Sequence, residues 1–439
     1  MVRISRILHA GYLFESGETR IIFDPLFENP FSRNCYAFPE VRFDLKEIQR
    51  QRFDAVFISH YHDDHCSIES LNLIDRNTPI YMFCIFEEMF DLLRQLGFSQ
   101  VNSLQLNTSV RIGTFEIIPR RALDEDVDSL FQVKADGLNI LNVVDSWIDY
   151  ETLDLLKSED PWDLIMWPFQ TMRELEVLAP SVAEPAVRTL PPEWLEQLAE
   201  LNPRYVIPSS CQFKFESWSW YNEAFFPITY AQFDKEIREA VPGIEVVRLN
   251  PSCAISFDGQ KQKRSTPLSW VQPQGEQNTD YIYNENIVPQ STGEISRHFT
   301  SVSPEHRQRI RHFCESEIVT IFNSLEGPQD SFFDGNRIWQ LSIYDHLGEV
   351  HKSQYRISAM KMTLLETMEE PTWTTEIPEA KLFAALELGE SLTSIYARVI
   401  APATANIMED PLIRSLYDGK FASYQRAQLQ ILRGNNGHN

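Results

Sequence analysis

The segment FISHYHDDHCS, residues 57–67, holds three histidines and two aspartates within six positions, His60 to His65. The chain of 439 residues has only 10 histidines, and after His65 the next is His298. The order is His60-x-His62-x-Asp64-His65, directly behind the apolar run DAVFIS (54–59), which reads as a short buried strand. Alternation along an extended chain puts residues 60 and 62 on one side. Two neutral imidazoles on one side can chelate one divalent cation. Asp64 and His65, on the turn that follows, can reach a second. Asp63 stands outside this set.

This arrangement resembles the signature of the metallo-β-lactamase superfamily. The opening, HAGYLFESGETRIIFDPLF (9–27), is similar to the branch containing ascorbate-lactonate hydrolases and N-acyl-phosphatidylethanolamine phospholipase. In that branch a histidine precedes a hairpin whose second strand ends in Asp-Pro; here these are His9, Asp24 and Pro25. The resemblance covers residues 1 to about 255. It implies an α/β fold, the αββα sandwich, holding one or two divalent metals (Fe, Zn or Mn) and acting on a small molecule. It also implies an aspartate at a later strand end that bridges the metals, and LNILNVVDSW (138–147) supplies Asp145. The expected ligands are then His60, His62, Asp64, His65 and Asp145, with Asp64 and Asp145 as the catalytic carboxylates. Asp24 is expected to orient the 60–65 loop, and His9 either to face the metal cavity or to cap the hairpin.

Two histidines of that pattern are missing. One is expected shortly after FEIIP (115–119), where PRRALDEDVDSLF has none. Asp126 and Asp128 are the candidates to stand in. The other is expected at a late strand end, where RYVIPSSCQF places Ser209, Ser210 and Cys211. Three histidines with carboxylates form a harder, more anionic donor set, which shifts the expectation towards iron or manganese. Arg120 and Arg121 stand nearby as candidate anchors for an anionic substrate group.

Three functions compete. The first is a hydrolase using a metal-activated water on an ester, lactone, amide or phosphoester. The second is an iron-dependent oxygenase, because NILNVVDSW…DLIMWPFQ…NPRYVIPSSCQFKF is similar to the metallo-β-lactamase-like part of CMP-N-acetylneuraminate hydroxylases. Those enzymes add a Rieske cluster on Cys-x-His and Cys-x-x-His pairs; this sequence has neither, so an oxygenase here needs a separate electron donor or a self-sufficient di-iron centre. The third is a non-catalytic ligand-binding protein. Superfamily habit places the hydrolase first.

The elements that must position these residues divide the chain in three. Residues 1–257 alternate apolar strand runs with turns and short helices, an α/β sandwich with helices outside. Residues 258–295 are rich in Gln, Pro, Asn and Ser and read as a linker or crossing segment. Residues 296–439 read as an α+β unit, faintly similar to sterol-carrier-type domains, or serving as a lid or dimerisation unit. A homodimer is therefore one expected state. The net charge of −24 disfavours nucleic acid as a partner. The six cysteines are scattered without a C-x-x-C pair, as expected for free thiols in the cytoplasm. No run of ~18 apolar residues suggests a membrane span, and the opening MVRISRILHAGYLFESG, broken by charges, does not read as a leader.

Overall fold

The computed structural model describes residues 1–259 and 261–436. Two sheets pack face to face. The first runs in the order Lys261–Ser265, Ala254–Asp258, Val2–Leu8, Gly11–Ser16, Thr19–Phe23, Ala55–Ile58, Ile80–Met82, Val101–Ser103. The second runs Glu245–Val246, Tyr205–Ser209, Leu164–Pro168, Leu138–Asn142, Ser129–Ala135, Phe115–Arg121, Val110–Ile112.

Side-chain alternation decides the layers. Ile21, Phe23 and Phe57 point between the sheets, where they join Ile117, Phe131, Ile140 and Ile207 in one core. Ile22, Val56 and Ile58 point the other way, onto Leu71, Met89 and Leu93 of the helices outside. On the far side Leu141, Ile165 and Val206 meet Leu156, Leu198 and Phe233 in the same manner. The strand hydrophobicity is therefore two-sided, as in any sheet buried on both faces.

The strands that carry the site are parallel. Thr19–Phe23, Ala55–Ile58 and Ile80–Met82 run together in one sheet, and Leu138–Asn142, Leu164–Pro168 and Tyr205–Ser209 in the other. Their carboxyl ends gather at one end of the sandwich, so residues just beyond them collect there: Asp24, Ser59 to His65, Asp145, and Ser209 to Cys211. In such folds the crevice beyond the carboxyl ends of the strands is where ligands bind. Gly11, which opens the second strand, is squeezed there. A Cβ on it would stand 2.8 Å from the Asp24 carbonyl oxygen and 2.9 Å from that of Leu8, both backbone atoms that cannot yield.

Residues 258–295 are built into the fold rather than strung between units. Lys261–Ser265 adds an edge strand to the first sheet, and Val271–Pro273 pairs with Val41–Phe43. The segment is polar because an edge strand shows both faces to water, with Lys261, Lys263 and Arg264 exposed. Trp270 and Tyr281 are buried in the first core.

Beyond it lies a five-stranded sheet, in the order Lys361–Leu364, Val350–Ser358, Arg337–Tyr344, Trp373–Pro378, Arg398–Ile400. The first three of these run antiparallel to one another in turn. Trp339, Leu341, Ile343, Tyr355 and Trp373 pack on Phe313, Ile318, Leu382 and Leu412 in a separate core. A cavity of about 780 Å³ opens between the Pro304–His312 helix and the strand ends. Its lining mixes charged side chains such as Arg307, Asp345 and Glu349 with Ile310, Ile343, Leu364 and Met368. The last helix, Ser423–Asn436, leaves this unit. It packs on the helices Ile68–Leu71 and Glu87–Gln95, so Ala422 and Leu429 belong to the first core. No helix among the described residues is long and apolar enough to cross a membrane.

Candidate metal centre

His9, Asp64, His65 and Asp145 bring one donor atom each to within 4.8 Å of one another. His9 Nε2 lies 3.1 Å from Asp64 Oδ2 and 3.3 Å from His65 Nε2. His65 Nε2 lies 3.2 Å from Asp145 Oδ2. His60 Nε2 is 3.8 Å from the other oxygen of Asp145. The three histidines are buried, while the Asp64 and Asp145 side chains keep 24% and 16% of their surface, so the centre opens on the carboxylate side.

Supporting residues fix which ring nitrogen faces inwards. The Ser59 backbone N–H donates to Asp24 Oδ1, and its hydroxyl donates to Asp24 Oδ2, both at 2.7 Å. That leaves the Ser59 oxygen to accept from His60 Nδ1–H at 2.9 Å. His65 Nδ1–H donates to Asp24 Oδ2 at 3.1 Å. Both rings then keep a proton on Nδ1 and turn Nε2 to the centre. Asp24 thus orients two histidines at once, one directly and one through Ser59. Asp24→Asn, which replaces one acceptor oxygen by a donor, should weaken metal binding roughly 10- to 100-fold. Titration of the apo-protein with Mn(II) measures this, and an unchanged affinity would reject the orienting role.

His9 is held by the backbone. It sits in the turn between the first two strands with φ of 52°, a conformation that non-glycine residues adopt mainly where the surroundings enforce it. Here Arg6 enforces it. Its fully buried guanidinium donates to the His9 carbonyl from Nε at 3.1 Å and to the Pro208 and Leu249 carbonyls from Nη1. Asp145 is placed similarly. Val144, a β-branched residue, has φ of 61°, and the Ser210 hydroxyl donates to its carbonyl at 2.9 Å.

The electrostatics call for a cation. Burial opposes the charge on Asp145, yet His65, His9 and His60 hold its carboxyl well below the usual range. Burial likewise opposes charge on His65, and Asp145, Asp64 and Asp24 outweigh it, holding the imidazole pKa well up. Burial, with His65 and His62, drives His60 the other way and keeps it neutral, as a ligand must be. Two carboxylates this close need positive charge between them. A divalent ion supplies it and also gives a partner to Asp145 Oδ1, which is buried with no hydrogen bond. The residues present fit a metal ion.

The structure sorts the other expected residues. His62 is at the apex of the loop turn, where its carbonyl accepts from the N–H groups of His65 and Cys66, and its side chain is exposed rather than gathered with the four. Its ring remains 4.6 Å from that of His60. Asp126 is exposed and its carbonyl accepts from Ile85, so it faces away from the centre. Asp128 is buried, with one oxygen unpaired, and interacts with Asp145 and His65. Burial, Asp124 and Asp145 push its carboxyl up to about 7. Arg120 is tied to Gln132, Asn107 and Glu159, and Arg121 to Asp149 and Glu151, so neither guanidinium is free for an anionic substrate. Burial and the nearby Asp145 push the Cys211 thiol well up, which keeps it protonated and unsuited to a thiolate ligand. Ser59 and Arg6 were not foreseen. The only hint in sequence was a serine between an apolar strand and the first histidine; Arg6 shares its strand with Arg3 and Ser5 and did not stand out.

Comparison with known proteins agrees with this arrangement. Residues 3–210 match the family model described as beta-lactamase superfamily domain. Cytidine monophosphate-N-acetylneuraminic acid hydroxylase from Danio rerio is 28% identical over 156 residues, 33% of this chain and 26% of that protein. The match therefore spans about a quarter of the length of the curated relatives. Among solved structures, Igni18, a metallo hydrolase from Ignicoccus hospitalis, is 15% identical and covers 59% of this chain and 99% of its own, with a TM-score of 0.42. CmlA, a diiron beta-hydroxylase from Streptomyces venezuelae, is 16% identical and covers 60% of this chain and 54% of its own, with a TM-score of 0.43. The paired sheets, the histidine signature behind the Ala55–Ile58 strand and the gathered His/Asp cluster are those of a metallo-β-lactamase fold, and residues 3–210 are similar to the beta-lactamase superfamily domain.

Proposed function

We propose that this chain is a metal-dependent hydroxylase that oxidises a small molecule at an iron centre. The observation that carries this is the donor set. Against the imidazoles of His9, His60 and His65 stand two aspartates, Asp64 and Asp145, with no thiolate. Oxygen-rich sets of this kind suit iron or manganese better than zinc. The hydroxylase named among the curated relatives supports the same chemistry over the matched residues.

Iron, when bound, supplies the activation of dioxygen. Hydroxylation puts one oxygen atom into a C–H bond and releases the other as water, which consumes two protons and two electrons. No Cys-x-His or Cys-x-x-His pair is present in this sequence to hold a Rieske cluster, so a separate carrier delivers the electrons. The chain's own residues orient and neutralise. His65 and His60 are locked in one tautomer by Asp24 and Ser59, and Asp64 and Asp145 present their open side to the substrate. The buried Phe31 and Phe213 rings beside His9 keep water from its flank.

A second reading, metal-assisted hydrolysis, is favoured by the partial exposure of Asp64 and Asp145, which lets water reach the centre. Metal analysis of protein purified without chelator separates the two. Iron in excess of zinc, with reductant-dependent oxygen uptake that Asp145→Asn abolishes, is the expected result. Zinc alone, with turnover of lactone or ester probes, would replace the hydroxylase by the hydrolase.

A further inference from the structure

The loop that carries His60, His62, Asp64 and His65 is gripped from the far end of the chain. Gln425, on the Ser423–Asn436 helix, donates from Nε2 to the carbonyls of Tyr61 and Cys66, the latter at 3.3 Å, across 364 and 359 positions of sequence. Those carbonyls lie on either side of the ligands Asp64 and His65. One turn further along, Gln428 Oε1 accepts from the backbone N–H of Ile68 at 3.0 Å. Ile68 opens the helix that follows the loop, and its N–H is one that the helix cannot satisfy internally.

The grip is built rather than incidental. Gln425 and Gln428 are 2% and 0% exposed. Glutamine is mostly a surface residue, and burying its amide is costly unless it is hydrogen-bonded. Two of them stand three apart on one helical face, both turned onto the same loop: Gln425 donates there through Nε2 and Gln428 accepts there through Oε1, while Gln428 Nε2 is buried without a partner. Aromatic packing closes the contact: the Phe421 ring lies 4.3 Å from Tyr61 and 4.8 Å from Phe86. Arg426 pairs with Glu88 at the rim.

We infer that the C-terminal helix is a clamp on the metal loop, with Gln425 and Gln428 as positioning residues for the metal ligands. The inference rests on the metal-centre reading. The ligands stay within bonding reach only while the backbone at Tyr61 and Cys66 is held, so helix docking and metal binding favour one another. Coupling of this kind is reciprocal: metal must tighten the helix by as much as the helix tightens the metal. The metal affinity of a centre within the 3–210 match is thereby set by residues outside it.

Three full-length proteins test this: the natural chain, Gln425→Leu, which keeps the volume but removes both donated bonds, and Arg426→Ala, which removes the rim pair with Glu88 and a bond to the Ser423 hydroxyl but neither loop contact. Mn(II) is titrated by loss of the free-ion paramagnetic resonance signal, and amide exchange is followed with and without Mn(II). Gln425→Leu should raise the Kd roughly 10- to 100-fold and speed exchange at His65 and Cys66. Arg426→Ala should do neither. In the natural chain Mn(II) should slow exchange along 423–436, a readout that needs no variant. A Gln425→Leu protein that melts earlier yet keeps its Kd and its loop exchange would reduce the helix to packing and overturn the inference. Gln428→Met, a milder change, should move both readouts the same way if Gln425→Leu does not fold. A natural chain that binds no Mn(II) would instead overturn the metal centre itself, and unchanged loop exchange in Gln425→Leu would still refute the clamp separately.

Discussion

Replacing His65 with alanine should empty the metal centre. His65, like His9, reaches every other member of the group through one nitrogen: Nε2 is 3.3 Å from His9, 3.2 Å from Asp145 and 3.7 Å from Asp64. Its other nitrogen is fixed by Asp24. Losing an outer partner of a ligand costs about 10- to 100-fold in affinity, so losing the ligand itself should cost more than ~100-fold. The remaining carboxylates, Asp64 and Asp145, would then face each other with less compensating charge. Metal content of chelator-free protein, measured by mass spectrometry, should fall below a tenth of that of the natural chain. His62→Ala should behave differently. Its side chain is exposed at the loop apex, so at least one equivalent of metal should remain. Full occupancy in His65→Ala, or complete loss in His62→Ala, would reverse the order of importance drawn from the geometry.

That contrast shows what the sequence could convey. The scaffold was legible, because a strand that ends in His-x-His-x-Asp-His and a hairpin that ends in Asp-Pro are local patterns. Asp24 and Asp145 were legible for the same reason, since each terminates an apolar run. Period-two alternation also placed 60 and 62 on one side, but that rule holds only while the chain is extended. The loop turns at His62, whose carbonyl takes two backbone donors, and the rule lapses there. His9 could equally have capped its hairpin; its selection depends on Arg6 and on carbonyls 202 and 243 positions away. Asp126 and Asp128 were indistinguishable by spacing, and burial of one against exposure of the other separates them. Gln425 carried no local signal, because its meaning lies in carbonyls more than 350 positions distant.

Asp410→Ala should be the most damaging single change in the C-terminal unit. Asp410 is fully buried and accepts from four donors at once. It takes the N–H groups of Leu412 and Ile413 at 2.9 and 3.1 Å, which caps the Pro411–Tyr417 helix. It takes Trp373 Nε1 at 2.7 Å and the Thr375 hydroxyl, both from the Trp373–Pro378 strand. One carboxylate therefore joins helix to sheet. Burial pushes its pKa up, while Thr375, Ile413, Trp373 and Leu412 favour the charged form, so net stabilisation comes from the bonds and not from the charge alone. Loss of a cap costs about 1 kcal/mol, and each buried donor left without a partner about 1–3 kcal/mol. With some relaxation the sum is roughly 3–5 kcal/mol, among the largest effects of a point substitution. The denaturant midpoint followed by tryptophan fluorescence should fall accordingly, and a cost under about 1 kcal/mol would mean that water replaces the carboxylate. The consequence extends to the centre. The Pro411–Tyr417 helix leads within a few residues into Phe421, Gln425 and Gln428, so a frayed cap frees the start of the clamp. Asp410→Ala, which touches no metal ligand, should therefore also weaken Mn(II) binding, though less than Gln425→Leu does.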